Sequence, residues 1–363
     1  MKKYLILFLV VTSSNLFTQE VTQKFNLPNL LSENSGLIYF DGKIITHNDS
    51  GDKPNLYELD VLTGKILRKI TIINASNIDW EDIAQDANYI YVSDSGNNRG
   101  NRTNLKIYKI SKKDYLMSNS ISAEVINYKY SDQKDFRHSS KNNFDAEALV
   151  SYYDHLLIFS KNRGNQKTKI YKISKNVGTH TAKKINTIDI NGQVTGATYN
   201  HKENSIVLCG YSSSLSPFLI FLDNFDIKSK SFVKVDVSDY VGAMSQIEGI
   251  SYSINDEILL SRERFRKKIG GFSIDIPSTV FVFNKEELTF SQRIINKSIE
   301  DFSNNTSFNS DFQILKVTDE LGKRVFKKID TITPKSILNL PNGNYYIKVK
   351  TGFFIANQKY TKQ

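Results

Sequence analysis

Two segments of this chain are nearly identical, NRGNRTNLKIYKISK at Asn98–Lys112 and NRGNQKTKIYKISK at Asn162–Lys175. Each follows a strand-like run with a serine near its end, NYIYVSDSG in one case and HLLIFSKNRG in the other. An acidic segment precedes each run, DWEDIAQ in the first and FDAEALVS in the second. Strand patterns that recur with their turns and lead-ins indicate a chain built from equivalent β units.

Three more copies of the pattern can be aligned, each with four short strand candidates. With the lead-in position as reference, the copies start at Ser35, Glu81, Glu147, Thr195 and Glu248. Four strands per unit, at intervals of 46 to 66 residues, are typical of a β-propeller. We expect five blades, with six as the alternative, and an outer strand of the last blade from Glu20–Asn29 that covers an open edge. A β-sandwich is disfavoured, because unrelated strands would not repeat a four-strand order five times.

The composition agrees with an all-β chain. Among the 363 residues are 19 Tyr and 22 Phe but only 3 Met, and β-branched and turn-forming residues are common. Cys209 is the single cysteine, so no internal disulfide can form. The net charge is +10, of which residues 307–363, with 10 Lys/Arg against 4 Asp/Glu, contribute +6 and the N-terminal Lys2 and Lys3 contribute +2, so the main body carries only about +2. This distribution argues against a nucleic-acid groove across the main domain.

The first residues, MKKYLILFLVVTSSNLFTQE, join two lysines to eight apolar residues and then to small polar ones. This pattern predicts a secretory signal peptide over residues 1–18. The apolar run is too short to span a membrane. We therefore expect export through the periplasm, a secreted or cell-surface location and no transmembrane segment in the mature protein.

The acidic lead-ins are expected to meet in space. The first strand of each propeller blade lines the central channel, so equivalent positions form a ring at one mouth. That ring is predicted from the lead-in residues Ser35, Glu81, Glu147, Thr195 and Glu248. In an antiparallel blade the end of the second strand lies beside the start of the first. A second set of mouth residues is predicted there: Asp49, Asp94, Lys161, Gly210 and Arg262, with His47, Asn48, Asp79, Asn97, Asp145, Asn162 and Arg264 beside them.

Three interpretations of this mouth stay open. Carboxylates from several strands without a His/Cys cluster suit a hard cation such as Ca²⁺, held by Glu81, Glu147 and Glu248. Candidate residues for binding a ligand with an anionic group are Asp49, Asp94, Lys161, Arg262 and Arg264. A catalytic acid or base would be His47, Glu81 or Glu147. Besides a binding site and a catalytic site, the third interpretation is a purely structural set of ion pairs between blades.

The C-terminal segment changes pattern. Its strand-like runs and turns predict a small β-sandwich over residues 311–363, after a polar linker at 300–310 and a propeller at 19–299. The segments VTDELGKRV (Val317–Val325) and LNLPNGNYYIKVKTG (Leu338–Gly352), with lysines near the end, resemble the C-terminal sorting domain of the type IX secretion system of Bacteroidetes. The family usually opens with a YPNP-like segment, which is absent here. The resemblance implies that the type IX machinery is a partner.

The propeller segments are more distantly similar to the calcium-dependent propeller groups that include phytases and lactonases. The shared features are the lead-ins DWED, DAEA and IEG. The sequence therefore predicts an exported propeller that binds an unidentified small molecule, glycan or protein, with Ca²⁺ as the candidate cofactor. A metal-assisted phospho- or carboxyl-ester hydrolase is the alternative function.

Overall fold

The computed structural model describes residues 21–242, 244–269, 272–283, 312–327, 332–333, 336–337, 339–351 and 354–362. The predicted signal peptide (1–18) and linker (300–310) lie outside these residues. Strands make up most of the described chain, so the predicted all-β class is confirmed. Among the described residues, no helix is both long enough and apolar enough to cross a membrane.

The strands form successive antiparallel sheets, introduced here in chain order. A first strand, β1 (Val21–Asn26), and a 3-10 turn (Asn29–Leu31) precede them. Sheet 1 contains β2 (Asn34–Phe40), β3 (Lys43–Asn48), β4 (Asn55–Asp60) and β5 (Ile66–Ile72). Sheet 2 contains β6 (Trp80–Gln85), β7 (Tyr89–Asp94), β8 (Lys106–Ser111) and β10 (Glu124–Tyr130). Helix α1 (Lys112–Met117) and β9 (Ser120–Ile121) lie between β8 and β10, and β9 pairs with β5.

The later sheets follow the same order. Sheet 3 contains β11 (Ala146–Tyr152), β12 (His155–Ser160), β13 (Thr168–Ser174) and β14 (Gly178–Ile188). Sheet 4 contains β15 (Gln193–Asn200), β16 (Ser205–Tyr211), β17 (Pro217–Leu222) and β18 (Phe232–Asp236), and α2 (Ser238–Val241) follows it. Sheet 5 contains β19 (Ile247–Tyr252), β20 (Ile258–Arg262) and β23 (Thr279–Phe283). A hairpin of β21 (Phe265–Ile269) and β22 (Phe272–Ile276) projects between β20 and β23.

The first strands of the described sheets form a closed cycle, which is the arrangement of a β-propeller. Strand β2 contacts β6, β6 contacts β11, β11 contacts β15, β15 contacts β19, and β19 returns to β2. Strand β1 pairs antiparallel with β23 and so supplies the fourth strand of sheet 5. This confirms the prediction that the N-terminal segment adds an outer strand to the last sheet. Sheets 2 and 3 also join at their outer edges, where β10 and β14 run parallel.

The repeated motif KIYKIS forms the third strand of two neighbouring sheets, β8 and β13. In both strands the tyrosine and the two isoleucines are buried, whereas the lysines are only partly buried. The core lies between sheets, and Trp80 shows how it is packed. Its ring is fully buried and lies 5.6 Å from the ring of His47 in sheet 1 and 5.8 Å from that of Tyr108 in sheet 2. Trp80 is therefore a wedge between two sheets.

The described part of the C-terminal segment extends sheet 4. Strands β24 (Phe312–Asp319), β25 (Gly343–Thr351) and β26 (Phe354–Lys362) form a meander, and β26 pairs antiparallel with β18. Buried tail residues such as Val317 and Ile347 share one apolar cluster with Val235 of sheet 4 and Leu260 of sheet 5. The sheet is seven-stranded as a result. Because these strands continue an existing sheet, the structure does not confirm a separate sandwich, which stays a prediction.

Candidate functional site

The first strands all carry a register interruption at the same place, at the mouth of the channel. One residue per strand is skipped in the pairing with the second strand: Gly36, Glu81, Glu147, Thr195 and Glu248. A β-bulge of this kind redirects a side chain away from the normal alternation of a strand. It therefore brings glutamates from sheets 2, 3 and 5 to one end of the channel. In sheet 1 the equivalent residue is Gly36 and not Ser35, a one-residue difference from the sequence alignment.

These residues surround an open cavity of about 200 Å³, here called the mouth. Its lining is almost entirely polar: Ser35, Asp49, Glu81, Asn98, Glu147, Lys161, Arg163, Tyr211, Gln246, Glu248 and Glu263. Six residues predicted from the sequence are among them, namely Ser35, Asp49, Glu81, Glu147, Lys161 and Glu248. Thr195 occupies its bulge position but is fully buried, and its hydroxyl donates to the carbonyl of Ile247 at 2.5 Å.

A second ring at the mouth comes from residues that lie at the end of the paired part of each second strand or one to two residues beyond it. Backbone bonds mark their equivalence: the amide of Lys161 donates to Asp145 O at 2.7 Å, and that of Glu263 donates to Gln246 O at 3.1 Å. Gly96 bonds to Asp79 O in the same way. By this register the ring consists of Asp49, Gly96, Lys161, Tyr211 and Glu263.

Asp94 and Arg262 lie one or two positions earlier in their strands, and their side chains point into the blades and not into the mouth. Asp94 is fully buried and forms an ion pair with Arg102 at 2.8 Å. The guanidinium of Arg262 donates to Val241 O at 2.5 Å and to the Thr279 hydroxyl at 3.0 Å. The structure therefore does not place these two side chains in the mouth. Arg262 precedes Glu263 by one residue, and neighbouring residues of a strand point to opposite faces.

Arg264 and His47 also lie away from the mouth. Arg264 leaves the sheet and pairs with Asp275 at 2.6 Å in the neighbouring hairpin. His47 is fully buried against Trp80, and its Nδ1 lies 3.0 Å from the carbonyl of Asn48. Burial lowers the pKa of His47 to about 4, so the imidazole is neutral at physiological pH. Since His47 does not line the cavity, its predicted role as a mouth base has no geometric support.

The basic side of the mouth consists of Lys161 and Arg163. The Lys161 ammonium contacts the carboxylate of Glu147, and both side chains are almost completely buried. The guanidinium of Arg163 donates to Asp145 at 2.8 Å and to Glu147 at 3.2 Å. Two cations therefore neutralise the carboxylates of Asp145 and Glu147. The charge on Glu147 that sequence analysis assigned to a metal is already balanced by protein groups.

The acidic side of the mouth consists of Asp49, Asp79 and Glu81. One carboxylate oxygen from each lies within 4.8 Å of the others. Burial, followed by the charges of Asp49 and Asp145, raises the pKa of Asp79 to about 7. Burial and the nearby carboxylate of Glu147 raise the pKa of Glu81 well above its usual value. Gly96 packs directly against this group, because a Cβ there would overlap Glu81 Oε1 and the Asp79 carboxylate.

Two more carboxylates complete the mouth on the side of sheet 5. Burial raises the pKa of Glu248 to about 7, and the Tyr211 hydroxyl donates to its Oε1 at 3.3 Å. Burial and the charges of Glu248 and Glu33 raise the pKa of Glu263 to about 9. Both carboxyl groups are therefore held partly or fully protonated near neutral pH unless a cation joins them.

Asp82 closes the channel below the mouth. Its carboxylate is fully buried, and its Oδ2 accepts hydrogen bonds from the backbone of Leu149 at 2.7 Å and of Ala197 at 3.2 Å. These two residues belong to the first strands of sheets 3 and 4, so a side chain from sheet 2 reaches across the channel axis. A second cavity of about 110 Å³ is lined by residues further along the same first strands, among them Ser151 and Tyr199.

Five mouth residues were missed by sequence analysis: Asn98, Arg163, Tyr211, Gln246 and Glu263. Tyr211 and Glu263 immediately follow Gly210 and Arg262, the positions that the alignment selected. Arg163 lies in the repeated NRG turn, and this recurrence of NRG beside an acidic lead-in was a usable signal.

No protein-family model matches the chain, and no curated protein matches it in sequence. Solved structures give remote likenesses. The glutaminyl cyclase of Myxococcus xanthus is 11% identical with a TM-score of 0.40, over 72% of this chain and 97% of that one. A glucose dehydrogenase is 9% identical with a TM-score of 0.42, over 73% and 99% of the two chains. A luciferin-regenerating enzyme is 8% identical with a TM-score of 0.41, over 74% and 96%.

Proposed function

We propose that this chain is an exported five-bladed β-propeller that binds a divalent cation, Ca²⁺, at its mouth and uses it to hold a ligand with an anionic group. The count of five is supported by the cycle of first strands, in which β19 contacts β2 directly. The observation that carries the cation is the approach of the Asp49, Asp79 and Glu81 carboxylates to within 4.8 Å of one another. Hard cations prefer such oxygen ligands.

The proposed cation site differs from the one expected from sequence alone. Glu147 is paired with Lys161 and Arg163, whereas Asp49, Asp79 and Glu81 form no ion pair with a lysine or arginine of the described residues. A cation among these three removes their mutual repulsion and allows all of them to ionise. Gly96 supports this choice, because the missing side chain leaves the space that the Glu81 and Asp79 carboxylates occupy.

The ligand would lie across the mouth. A carboxylate or phosphate group of the ligand would bind to the cation on one side and to Lys161 and Arg163 on the other. Arg163 retains a partly exposed guanidinium, with 27% of its side-chain surface accessible. Lysine and arginine bind such anions through charge-assisted hydrogen bonds. The ligand class is therefore a small acidic molecule or an acidic group on a larger glycan or protein.

Thermal unfolding of the full chain tests the cation. We expect Ca²⁺ to raise the midpoint of unfolding and a chelator to reverse the rise, because a ligand that binds only the folded state stabilises it. At a hundred times the dissociation constant the gain is about 2.7 kcal/mol. Asp49→Asn and Glu81→Gln should remove the effect, and Glu124→Gln on the outer edge of sheet 2 should retain it. If Ca²⁺ still raises the midpoint of unfolding in both mouth variants, the proposed cation site is wrong.

The export part of the proposal is supported by the sequence of residues 1–18 and of the tail. We propose that the tail is recognised by the type IX secretion system. Residues 307–363 attached to a periplasmic reporter protein should carry it to the surface of a host that has this machinery. A reporter that stays in the periplasm would contradict the sorting assignment. Use of a reporter keeps the test independent of the propeller, whose sheet 4 pairs with the tail.

A metal-assisted ester hydrolase is the second candidate function. The observation that favours it is the pKa of Glu248, which burial raises to about 7 beside the predicted cation group. A carboxylate with a pKa near the working pH can act as a general base. A screen of phospho- and carboxyl-esters with Ca²⁺ present should then find turnover that Glu248→Gln loses while Ca²⁺ still raises the unfolding midpoint. Ca²⁺ binding without any turnover would leave the binding module as the function.

A further inference from the structure

Another concave site lies where the C-terminal strands meet the propeller. Its volume is about 250 Å³. Lys167, Asp189 and Lys230 line it from the propeller side, and Lys316 and Lys348 line it from β24 and β25. We call this cavity the seam. Neither the proposed cation nor the proposed ligand of the mouth involves any of these residues.

The seam carries a surplus of positive charge. Four of its lining residues are lysines, and Asp189 is the single acid among them. The Asp189 carboxylate lies 3.5 Å from Lys316 Nζ and 3.8 Å from Lys167 Nζ, so it is already shared. Within the described part of the chain, Lys348 donates one hydrogen bond, to the backbone carbonyl of Asp189 at 3.4 Å. Within the described residues, Lys230 forms no ion pair. One carboxylate therefore faces four ammonium groups.

Burial accentuates this imbalance. Desolvation lowers the pKa of Lys348, and the positive charges of Lys316 and Lys167 act in the same direction. An anion that approaches such a lysine stabilises its charged ammonium form. Hydroxyl-bearing residues complete the lining, with Thr187 on the propeller side and Thr318 and Tyr346 on the tail side. Convergent ammonium and hydroxyl donors in a concave site are suited to an oxyanion.

We propose that the seam binds one small multivalent oxyanion of the phosphate type, and that this anion holds the C-terminal strands against the propeller. Lysines of the propeller face lysines of the tail, and their repulsion weakens the junction until an anion lies between them. The anion contacts both sides, so its binding and the docking of the tail stabilise each other. A cavity of about 250 Å³ limits the occupant to a small group such as a diphosphate.

Calorimetric titration of the full chain with inorganic pyrophosphate, at constant ionic strength, tests this site. We expect one bound anion per chain. Lys348→Gln and Lys230→Gln, one from each side of the seam, should each weaken binding about tenfold, as is usual for the loss of a charge-assisted hydrogen bond. Lys53→Gln on an exposed turn should have no effect. Asp189→Asn should strengthen binding, because it removes the carboxylate that competes with the anion for the lysines. Non-specific screening cannot explain such an increase.

A second measurement reports on the docking itself. Pyrophosphate should slow trypsin cleavage within residues 312–362 of the original chain and have no such effect on Lys348→Gln. Vesicles of phosphatidylcholine with phosphatidic acid identify the source of the phosphate. Co-sedimentation that pyrophosphate competes away indicates a lipid headgroup, and pyrophosphate binding without co-sedimentation indicates a soluble anion. Absence of pyrophosphate binding, or binding that neither lysine variant changes, would overturn the proposal.

Discussion

Gly96 and Glu81 share one small volume at the mouth of the channel: a Cβ on residue 96 would overlap the Oε1 of Glu81. The same Cβ would also overlap the carboxylate of Asp79. The glycine at the end of one strand thus leaves room for two acidic side chains from the start of its neighbour. This relationship links the backbone of sheet 2 to the proposed cation site.

Gly96→Ala should therefore displace the two carboxylates. We expect a loss of about 1–3 kcal/mol in the free energy of unfolding, as for overpacked sites, together with loss of the stabilisation by Ca²⁺. Urea unfolding with Ca²⁺ and with chelator measures both effects. Gly42→Ala is the control: nothing lies within 4 Å of its Cβ, but its φ of 74° makes alanine strained. That variant should cost about 1 kcal/mol and keep the response to Ca²⁺. An unchanged Ca²⁺ response in Gly96→Ala would contradict the site.

The Asp82 carboxylate should be essential for closing the channel. Asp82→Ala leaves the buried amides of Leu149 and Ala197 without their acceptor. Each unsatisfied buried group costs roughly 1–3 kcal/mol, so the free energy of unfolding should fall by about 3 kcal/mol or more. Asp82→Asn keeps an oxygen of similar position and should lose less. The exposed Lys53→Ala should change stability by no more than about 0.5 kcal/mol. Urea unfolding that ranks Asp82→Ala with Lys53→Ala would show that the bridging bonds contribute little.

Lys161 should contribute far more to the free energy of unfolding than a surface lysine in an equivalent ion pair does. It is 4% exposed and its partner Glu147 is 2% exposed. Lys161→Met leaves an undercompensated buried carboxylate, a loss of about 3–5 kcal/mol. Glu147→Gln in the same chain should restore much of this stability. Lys109→Met is the matched control, because its partner Glu124 is 53% exposed, and that pair is worth at most about 1 kcal/mol. A double-mutant cycle at each pair, measured by urea unfolding, gives the two coupling energies.

The mouth should make the apo protein less stable as the pH rises. Burial raises the pKa of Glu248 to about 7 and that of Glu263 to about 9, from a usual value of 4.5. The folded state therefore binds more protons than the unfolded state above about pH 5, and each such carboxyl lowers the free energy of unfolding by up to about 1.4 kcal/mol per pH unit. The stability contributed by a given group is fully present below the unfolded pKa and is lost as the pH approaches the folded pKa.

Glu263→Gln should remove part of this pH dependence. In chelator, the variant should be more stable than the original chain at pH 8 and equally stable at pH 4, because glutamine does not need a proton to remain buried. Urea unfolding at several pH values measures the difference. Glu124→Gln, at the outer edge of sheet 2, should leave the slope unchanged. A Glu263→Gln variant with the original slope would mean that Glu263 ionises freely in the folded protein.

Much of the fold and part of the mouth could be predicted from sequence, because both depend on repetition. The motif KIYKIS at Lys106–Ser111 and Lys169–Ser174 marks two equivalent third strands, and the lead-ins mark the first strands. Aligned repeats place equivalent residues at one end of a propeller whatever the contacts between them. Glu81, Glu147 and Glu248 were found in this way, and they do line one cavity.

The differences arose at the ends of the second strands, where an offset of one or two residues decides whether a side chain enters the mouth. Alternation along a strand fixes only whether neighbours share a face, and it does not fix the residue at which pairing ends. Asp94 and Arg262 were therefore selected in place of Gly96 and Glu263, and Arg163 was overlooked. The pairing of Glu147 with Lys161, which decides where a cation could bind, depends on distances that no alignment supplies.

The sequence alone determined the all-β class, the repeated unit and the acidic character of one channel mouth, because each follows from local periodicity and composition. Tertiary structure decided which carboxylates are free, how Asp82 closes the channel and where the C-terminal strands dock. Those outcomes depend on contacts between residues far apart in the chain, such as Asp82 with Ala197 and β18 with β26. Backbone amides and strand edges offer the same hydrogen bonds in every sequence, so only the folded geometry selects their partners.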